Sequence, residues 1–491
     1  MNYSLVNKFL YFFIISFILC GCNYKEQIEF KRFDSQLLHK DLKILKGIIT
    51  EMHAGVYAYN TPAQINSIFD SISNSIKQPT SIREFYSKLD YLLDKIRCIH
   101  TSAYLPDEYF DSISIRPVFF PTPLININNK PYVNTDLQSI PLGAEVVSIN
   151  GISSQKMISA FQDFKHADGY SSEIKKNAIN DDFALDYFLV YGGAPNFIIE
   201  FIKDSSTTVE TEIFRGEKLL DLYKNENSTK FYYYPTDVNY DFEINDRYNT
   251  AVLTVRSFSY VSSNSLHAFK NFIDNSFRLI RQNGIKNLII DCRNNGGGYY
   301  NSTYSLLNFL VCNKLPEYDS VYQRFKHLTY TEYIAKEDTN RIQEIDTAFL
   351  NSTKTKEGIY KFKEDEINVW EPQQNIFNGK IFVIVNGNVV SAAATFAAVL
   401  KDKTNAIIIG EETGGANDAH NAYLISFVLP NFKIKVDIPL RRYFQPIIKK
   451  EEGRGVVPSK YIPFTVYDLV NNTDRPLSYI YDSLLNPKTL K

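Results

Sequence analysis

Ser391 stands in a sequence context that could make it a nucleophile. An apolar run at residues 380–385 predicts a buried strand, and a helix is expected to begin near Ser391 with the small residues Ala392–Ala394. A helix N-terminus offers unpaired N–H groups and a positive dipole end, which stabilise a developing negative charge. Serine is also favoured as an N-cap, so this position alone allows a purely structural role. The pattern Gly-x-Ser-x-Gly is missing, which argues against an α/β-hydrolase nucleophile elbow.

A second segment carries three consecutive glycines, Gly296–Gly298, shortly after an apolar run at residues 287–291 that predicts another buried strand. Glycines leave backbone N–H groups accessible, so such a loop could hold an oxyanion or a phosphate. The glycine patterns typical of phosphate-binding loops are missing, which weakens the phosphate interpretation. A flexible turn without a ligand is the remaining alternative.

His100 is the candidate general base. It lies at or just past the end of a helix predicted to begin with a capping box of Ser81 and Glu84. The chain has seven histidines, and His420 is the main competitor. A lone histidine is more often structural than catalytic. Glu452, beside glycine turns, could orient a histidine or bind a substrate amine, or could simply belong to a solvated turn.

Taken in chain order, these segments resemble the C-terminal processing peptidases and their relatives of the tricorn core. The shared motifs include a His-Thr pair at residues 100–101, an Asp-x-Arg-x-Asn-Gly-Gly-Gly loop at 291–298 and a Ser-Ala helix start at 391–392. A Gly-Glu-x-Thr-Gly-Gly motif follows at 410–415, and Gly-Val-x-Pro closes the series at 455–458. The resemblance covers roughly residues 37–470.

The resemblance implies roles for individual residues. Ser391 would be the nucleophile, and the N–H groups of the loop at Gly297 and Gly298, together with that of Ala392, would stabilise the oxyanion. His100 would be the general base. The expected chemistry is peptide-bond hydrolysis through an acyl-enzyme, with no metal or organic cofactor required.

Two further positions place the chain within the family. The processing-peptidase branch has a catalytic lysine after its Gly-Glu-x-Thr motif, whereas this chain has Ala416 there, so a Ser-Lys dyad is rejected. The tricorn-like branch uses a histidine and a late glutamate. Glu452 is the predicted orienting acid, with Glu451 as its neighbouring alternative, and Ile99 departs from the serine that precedes the histidine in tricorn.

The expected fold class is α/β. Apolar strands alternating with helices predict parallel pairing in the core, and the resemblance implies a crotonase-like β-β-α spiral with a PDZ-like, β-rich insertion. In the family such insertions capture peptide ends by strand addition. The predicted divisions are a signal peptide at 1–22, a tether at 23–36, a helical domain at 37–112, the PDZ-like domain at 113–215 and the peptidase core at 216–491.

The N-terminus predicts export. Residues 9–19 form an apolar run typical of a signal peptide and short for a membrane span. They lead into Leu19–Cys22, which resembles a bacterial lipobox with Cys22 as the lipidated residue; an ordinary secretory signal is the alternative. We expect an extracytoplasmic lipoprotein, periplasmic or on the cell surface. The remaining cysteines, Cys98, Cys292 and Cys312, form no disulfide framework and lack zinc-ligand spacing.

Composition narrows the partners. The chain has 491 residues, of which 44% are apolar and 22% charged, a globular balance. A net charge of −2 argues against a nucleic-acid partner. The expected partners are a peptide or unfolded protein substrate and the membrane, through the lipid anchor. A catalytically inert protein that binds peptides or a partner on the same scaffold is the main alternative, and a serine esterase is a third.

Overall fold

The computed structural model describes residues 32–180, 182–203, 207–224, 229, 239–348, 352–356 and 358–486. The predicted signal peptide, the lipidation site Cys22 and the tether up to residue 31 lie outside these residues. Within the described ranges, no helix combines the length and apolar character needed to cross a bilayer.

A six-stranded, mostly parallel sheet forms the core. Its strand order is β10-β11-β12-β18-β19-β22; β10 and β11 are antiparallel, and all later neighbours are parallel. The strands are β10 (Tyr240–Asn245), β11 (Thr250–Val255), β12 (Asn287–Asp291), β18 (Lys380–Val385), β19 (Ile407–Gly410) and β22 (Lys460–Tyr461). The mixed α/β class predicted from the sequence is confirmed.

Both faces of this sheet are covered, which explains the uninterrupted apolar strands. Leu288 and Ile290 point into the larger apolar cluster, beneath the helices α9 (Ser263–Gln282), α10 (Tyr300–Leu307) and α12 (Ala392–Lys403). Ile289 belongs to a second cluster on the other face, closed by Ile480 from the C-terminal segment. That segment contains α13 (Val466–Asn471), α14 (Arg475–Tyr479) and a π-helical turn at Ile480–Leu484.

A helical unit precedes His100. Its elements are α1 (Ser35–Met52), α2 (Pro62–Ser75), α3 (Ile82–Asp94) and the short paired strands β1 (Arg32–Phe33) and β2 (Thr80–Ser81). The predicted capping box is present: Ser81 accepts the N–H of Glu84, and Glu84 accepts the N–H of Ser81. Three residues separate the end of α3 from Cys98, and His100 lies in the turn that follows.

A second sheet, not anticipated from the sequence, supports the helical unit. Its order is β15-β16-β14-β21-β20, and β3 pairs with β21. The long hairpin of β20 and β21 shares one apolar cluster with the helices of the preceding unit. The strands are β3 (Ser102–Tyr104), β14 (Ser320–Gln323), β15 (Thr353–Lys354), β16 (Tyr360–Lys361), β20 (Ala419–Val428) and β21 (Lys435–Phe444).

A third sheet spans most of the region predicted to be PDZ-like. The order is β4-β5-β6-β8-β9, with β7 paired to β6, and the predicted Asn-Gly turn lies between β6 and β7 with positive φ at Asn150 and Gly151. Its strands are β4 (Leu124–Ile127), β5 (Lys130–Val133), β6 (Glu145–Ile149), β7 (Ile152–Ser153), β8 (Asn196–Ile202) and β9 (Val209–Arg215). Its helices are α5 (Ser154–Gln162), α6 (Glu173–Ala178) and α7 (Phe183–Tyr191).

The remaining elements are short connections. They are the paired strands β13 (Leu315–Pro316) and β17 (Val369–Trp370), the helices α4 (Asp107–Ser114), α8 (Leu219–Lys224) and α11 (Ile342–Ala348), and 3₁₀ turns at Asp246–Tyr248, Thr331–Tyr333, Lys336–Arg341 and Glu364–Glu366.

Candidate active site

The backbone of Ser391 is strained. Its φ of 52° and ψ of −130° lie outside the regions that side-chain-bearing residues prefer, and α12 begins at the next residue. Such a conformation costs about 1–3 kcal/mol and persists only where the surroundings impose it. In the described part of the chain, the Ser391 side chain makes no capping hydrogen bond, so the structure gives no support to the N-cap alternative. The Ser391 residue is half-buried, and its hydroxyl is not committed to capping its own helix among the described residues.

Two glycine segments impose this conformation by packing directly against Ser391. A Cβ added to Gly297 would lie 2.8 Å from the Ser391 Cβ, and one added to Gly415 would lie 2.9 Å from the Ser391 nitrogen. The carbonyl of Asn295 accepts the N–H of Val390 at 3.2 Å, which anchors the residue before the serine. The glycine loop and the Gly-Glu-x-Thr-Gly-Gly motif therefore meet at Ser391.

The candidate oxyanion donors differ in availability. Among the described residues, the N–H groups of Ala392 and Gly298 have no hydrogen-bond acceptor. The Gly297 N–H is already engaged, because it donates to Oδ1 of Asn295 at 2.9 Å. The structure therefore leaves Ala392 and Gly298 free to bind an oxyanion, while Gly297 contributes by its close approach to the serine.

His100 is half-buried and carries a ring nitrogen without a partner. Its Nδ1 is buried, and no group in the described part of the chain hydrogen-bonds to it. Burial lowers the pKa of His100 below its usual value, and the nearby Asp168 carboxylate opposes this shift. A neutral imidazole is the form that can accept a proton, so these surroundings suit a general base.

Asp168 is the acidic neighbour of His100, and sequence reasoning missed it. Ligand-type atoms of Asp168, His100 and Cys98 all lie within 4.8 Å of one another. The Asp168 side chain is 2% exposed; its Oδ1 accepts the N–H of Ile99 at 3.0 Å, and its Oδ2 has no partner among the described residues. Burial raises the pKa of Asp168 while the positive charge on His100 would lower it, as expected of a carboxyl coupled to an imidazole.

Glu452 was predicted to orient His100, and the structure does not bring the two together. The side chains of Glu451 and Glu452 are exposed, and in the described ranges neither hydrogen-bonds to His100. The backbone of their turn contacts the insertion, where the Gly453 carbonyl accepts the N–H of Tyr170 at 2.7 Å. The acidic side chains of the turn therefore face solvent. The position next to His100 belongs to Asp168 instead.

His420, the competing histidine, is occupied by structural contacts. It is buried, its Nε2 lies 3.1 Å from the Tyr300 hydroxyl, and its Nδ1 lies 2.7 Å from Nε2 of Gln445. Burial lowers the pKa of His420 to about 3. With both nitrogens engaged, this imidazole has no free site for a substrate proton.

The segments around His420 connect the serine to the general-base candidate. The centroids of the His100 and His420 rings are 6.2 Å apart, and His420, the second residue of β20, lies only five residues after Gly415, which touches Ser391. Tyr300, which contacts His420, lies three residues after Gly297. Within the described part of the chain, His100 and Ser391 make no direct hydrogen bond.

Sequence comparison identifies the domain that carries Ser391. Residues 249–462 match Peptidase family S41, a range that includes the glycine loop, Ser391 and the Gly-Glu-x-Thr-Gly-Gly motif. This segment of the chain is thus similar to the serine peptidases of family S41. A search of the curated proteins finds no match.

Solved structures of similar fold cover both the segment that matches family S41 and the regions outside it. Mature CPAF matches with a TM-score of 0.55 and 15% identity over 89% of this chain and 94% of CPAF. A serine-to-alanine mutant of CPAF matches with a TM-score of 0.57 and 15% identity over 91% of this chain and 98% of that one. The likeness thus extends well beyond residues 249–462 and concerns the fold. The serine-type peptidase class predicted from the sequence is confirmed.

Proposed function

We propose that this S41 chain is an endopeptidase that cleaves peptides or unfolded segments of exported proteins through an acyl-enzyme on Ser391. The observation that carries the proposal is the strained Ser391 backbone, held between two glycine segments at a helix N-terminus, where the Ala392 N–H has no acceptor among the described residues. This arrangement exposes a hydroxyl beside donors that can stabilise a tetrahedral oxyanion. A structural serine has no need of such a conformation.

In the proposed mechanism, His100 removes the Ser391 proton as the hydroxyl oxygen attacks the scissile carbonyl. The N–H groups of Ala392 and Gly298 stabilise the oxyanion, and His100 then returns the proton to the leaving amine. Loss of one oxyanion donor typically lowers the rate by ~10²–10³-fold. Hydrogen bonds between catalytic groups often form only in the substrate complex, and we assign the Ser391–His100 contact to that state.

Asp168 is the proposed positioning residue for His100, in the place first assigned to Glu452. Its Oδ1 accepts the N–H of Ile99, the residue before His100, and its Oδ2 has no partner in the described ranges and is available to His100. An ionised carboxylate beside an imidazole fixes the useful tautomer and stabilises the imidazolium that forms. The buried Ala416 leaves this histidine-based route without a competing lysine at that position.

The remaining parts of the proposal concern location and substrate capture. We retain the lipid anchor at Cys22, which fixes the enzyme to the extracytoplasmic side of a membrane, and the PDZ-like sheet as the element that receives substrate peptides.

Labelling with a fluorophosphonate tests the nucleophile. We expect wild-type protein to be modified at Ser391, as mapped by mass spectrometry, and Ser391→Ala to be unlabelled. Ser305→Ala, in α10, is the matched control and should label normally. Because one of the matching structures is mature CPAF complexed with lactacystin, this reactive compound is a second probe for the same serine.

The inert peptide-binding alternative is favoured by one observation, the missing hydrogen bond between His100 and Ser391 in the described residues. It predicts that folded wild-type protein is unlabelled by both probes and leaves unstructured peptides uncut. That result would replace the peptidase proposal with this alternative.

A further inference from the structure

Three side chains of different chemistry converge beside the candidate general base. The thiol of Cys98, a ring nitrogen of His100 and a carboxylate oxygen of Asp168 all lie within 4.8 Å of one another. Cys98 and Asp168 are 1% and 2% exposed, whereas His100 is half-buried, so the cluster is shielded but reachable. Proton transfer to His100 uses the imidazole and the carboxylate and leaves the thiol without a role.

Two atoms of the cluster lack partners despite their burial. Among the described residues, neither Nδ1 of His100 nor Oδ2 of Asp168 has a hydrogen-bond partner. A buried polar atom without a partner costs about 1–3 kcal/mol. Both orphaned atoms are potential metal ligands, and a cation between them would satisfy both.

Three hydrogen-bonding groups surround the sulfur of Cys98: Thr101, Asn421 and the backbone of His100. Burial and the Asp168 carboxylate raise the pKa of the Cys98 thiol to about 12, so without a metal ion it is neutral, although these hydrogen bonds oppose the rise. The Asn421 amide donates to the sulfur at 3.4 Å. A metal ion deprotonates a coordinating thiol outright, and these donors would stabilise the resulting thiolate.

Hydrogen bonds among neighbouring residues hold the loops that carry Cys98, His100 and Asp168. The N–H of Gly55 donates to Nδ1 of His53, so the Nε2–H of His53 donates to the Thr101 hydroxyl oxygen at 2.7 Å. The loop of Cys98 is also joined to that of Asp168, because Gly169 donates its N–H to the carbonyl of Arg97 at 3.0 Å. The two ligand-bearing loops are therefore held in place without a ligand.

The donor set selects a class of metal. Thiolate, imidazole and carboxylate together suit Zn²⁺, whereas Mg²⁺ and Ca²⁺ prefer oxygen ligands alone. Zn–S and Zn–N bonds of about 2.3 and 2.0–2.1 Å place tetrahedral ligand atoms roughly 3.5 Å apart. From separations of up to 4.8 Å, the cluster would need to contract by about 1.3 Å at most, and the fourth position could be taken by water.

We propose that Cys98, His100 and Asp168 form a Zn²⁺ site whose occupation inhibits the peptidase. A bound zinc ion takes a lone pair of His100 and the free oxygen of Asp168, which removes the general base and its positioning residue together. The inhibitory consequence rests on the proposed function, whereas metal binding itself does not. Arg442, the nearby cation, lies 3.5 Å from Asp418, whose carboxylate offsets its repulsion of the metal.

The binding test uses Ser391→Ala in the full chain, purified without a polyhistidine tag, so that turnover plays no part. We expect one tight equivalent of Zn²⁺ in competition with a chromophoric chelator, and Co²⁺ in its place should give a thiolate-to-cobalt charge-transfer band. Adding Cys98→Ser or Asp168→Asn should weaken binding at least tenfold, and Cys98→Ser should abolish the band. Cys312→Ser, which changes an exposed cysteine outside the cluster, is the matched control and should change neither.

Unchanged zinc affinity in the Cys98→Ser protein, or a retained cobalt band, would overturn the site. Should that variant fail to fold, X-ray absorption of zinc bound to the Ser391→Ala protein decides: one sulfur ligand supports the site, and no sulfur or several sulfurs contradict it. In wild-type enzyme, zinc should suppress peptide cleavage and a chelator should restore it; activation by zinc would overturn inhibition. A wild-type chain that cleaves nothing contradicts the proposed function, while the binding result still decides the metal site.

Discussion

The Asp168 carboxylate accepts the backbone N–H of Ile99 at 3.0 Å. Because Ile99 directly precedes His100, this hydrogen bond holds an acid of the β-rich insertion beside the imidazole. Insertion and helical unit are thereby joined at the candidate general base. This contact changes which acid should matter for catalysis.

Asp168→Asn should lower kcat by ~10²–10⁴-fold with a small change in KM, since replacing the acid of a catalytic triad leaves the imidazole in the wrong tautomer. Asp168 opposes the lowering of the His100 pKa, so its removal should move the acidic limb of the pH–rate profile to lower pH. Asp163→Asn, which changes a half-exposed acid of the same insertion, is the control. A normal rate and an unshifted profile for Asp168→Asn would exclude the positioning role.

Gly297→Ala should abolish fluorophosphonate labelling, because its Cβ would lie 2.8 Å from the Ser391 Cβ and its φ of 93° disfavours a side chain. We also expect a loss of about 1–3 kcal/mol in the free energy of unfolding from the steric overlap. Gly296→Ala is the matched control within the same loop, since its Cβ would meet no atom of the described residues within 4 Å. Equal labelling of the two variants would argue against close packing at the serine.

Ser391→Gly should be more stable than Ser391→Ala by about 1 kcal/mol, because glycine adopts the observed positive φ without strain and alanine does not. Both variants lack the hydroxyl and should be inactive, so the comparison isolates the backbone conformation. Urea unfolding measures the difference. A less stable glycine variant would show that the strain is small or is released elsewhere.

Asp291→Asn should destabilise the core by about 3–5 kcal/mol, since it removes a buried carboxylate that neutralises two partly buried arginines, one of which, Arg293, keeps Asp474 as a partner. Asp291 contacts Arg256 at 2.8 Å and Arg293 at 2.7 Å, and its pKa lies well below the usual value, held down chiefly by Arg293 against the effect of burial. A lowered folded-state pKa stabilises the protein fully above the unfolded value of about 3.9, and this stabilisation is lost as the pH falls below it.

Unfolding titrations from pH 7 to pH 3 check this sign. Wild type should lose stability on acidification, and Asp291→Asn should lose less. Asp274→Asn, an exposed change on α9, serves as the control. A variant that follows the wild-type pH dependence would show that Asp291 does not contribute it.

Cys22→Ser should abolish incorporation of radiolabelled fatty acid and release the protein from the membrane fraction, because the thiol is the proposed attachment point. Cys20→Ser, two residues earlier in the same motif, should remain lipidated. Fatty-acid incorporation that persists in Cys22→Ser would contradict the anchor.

The core strands could be predicted because their signal is local. The strand at Asn287–Asp291 has the bounds indicated by its apolar run, and the helix at Ala392–Lys403 begins where the alanines predicted it. Asp168 could not be found this way. It lies in a polar loop of the insertion, and only tertiary packing brings it to His100. The exposure of Glu452 could not be predicted either, because its sequence motif does not indicate which side of the turn contacts the rest of the protein.

The groups proposed for catalysis come from three distant parts of the chain: His100 from the helical unit, Asp168 from the insertion and Ser391 from the core sheet. A chain emerging from the ribosome carries the imidazole first and the serine nearly three hundred residues later. No assembled centre exists until the last core strands have joined the sheet. Synthesis order alone would therefore keep the unfinished protein from cutting itself or its neighbours.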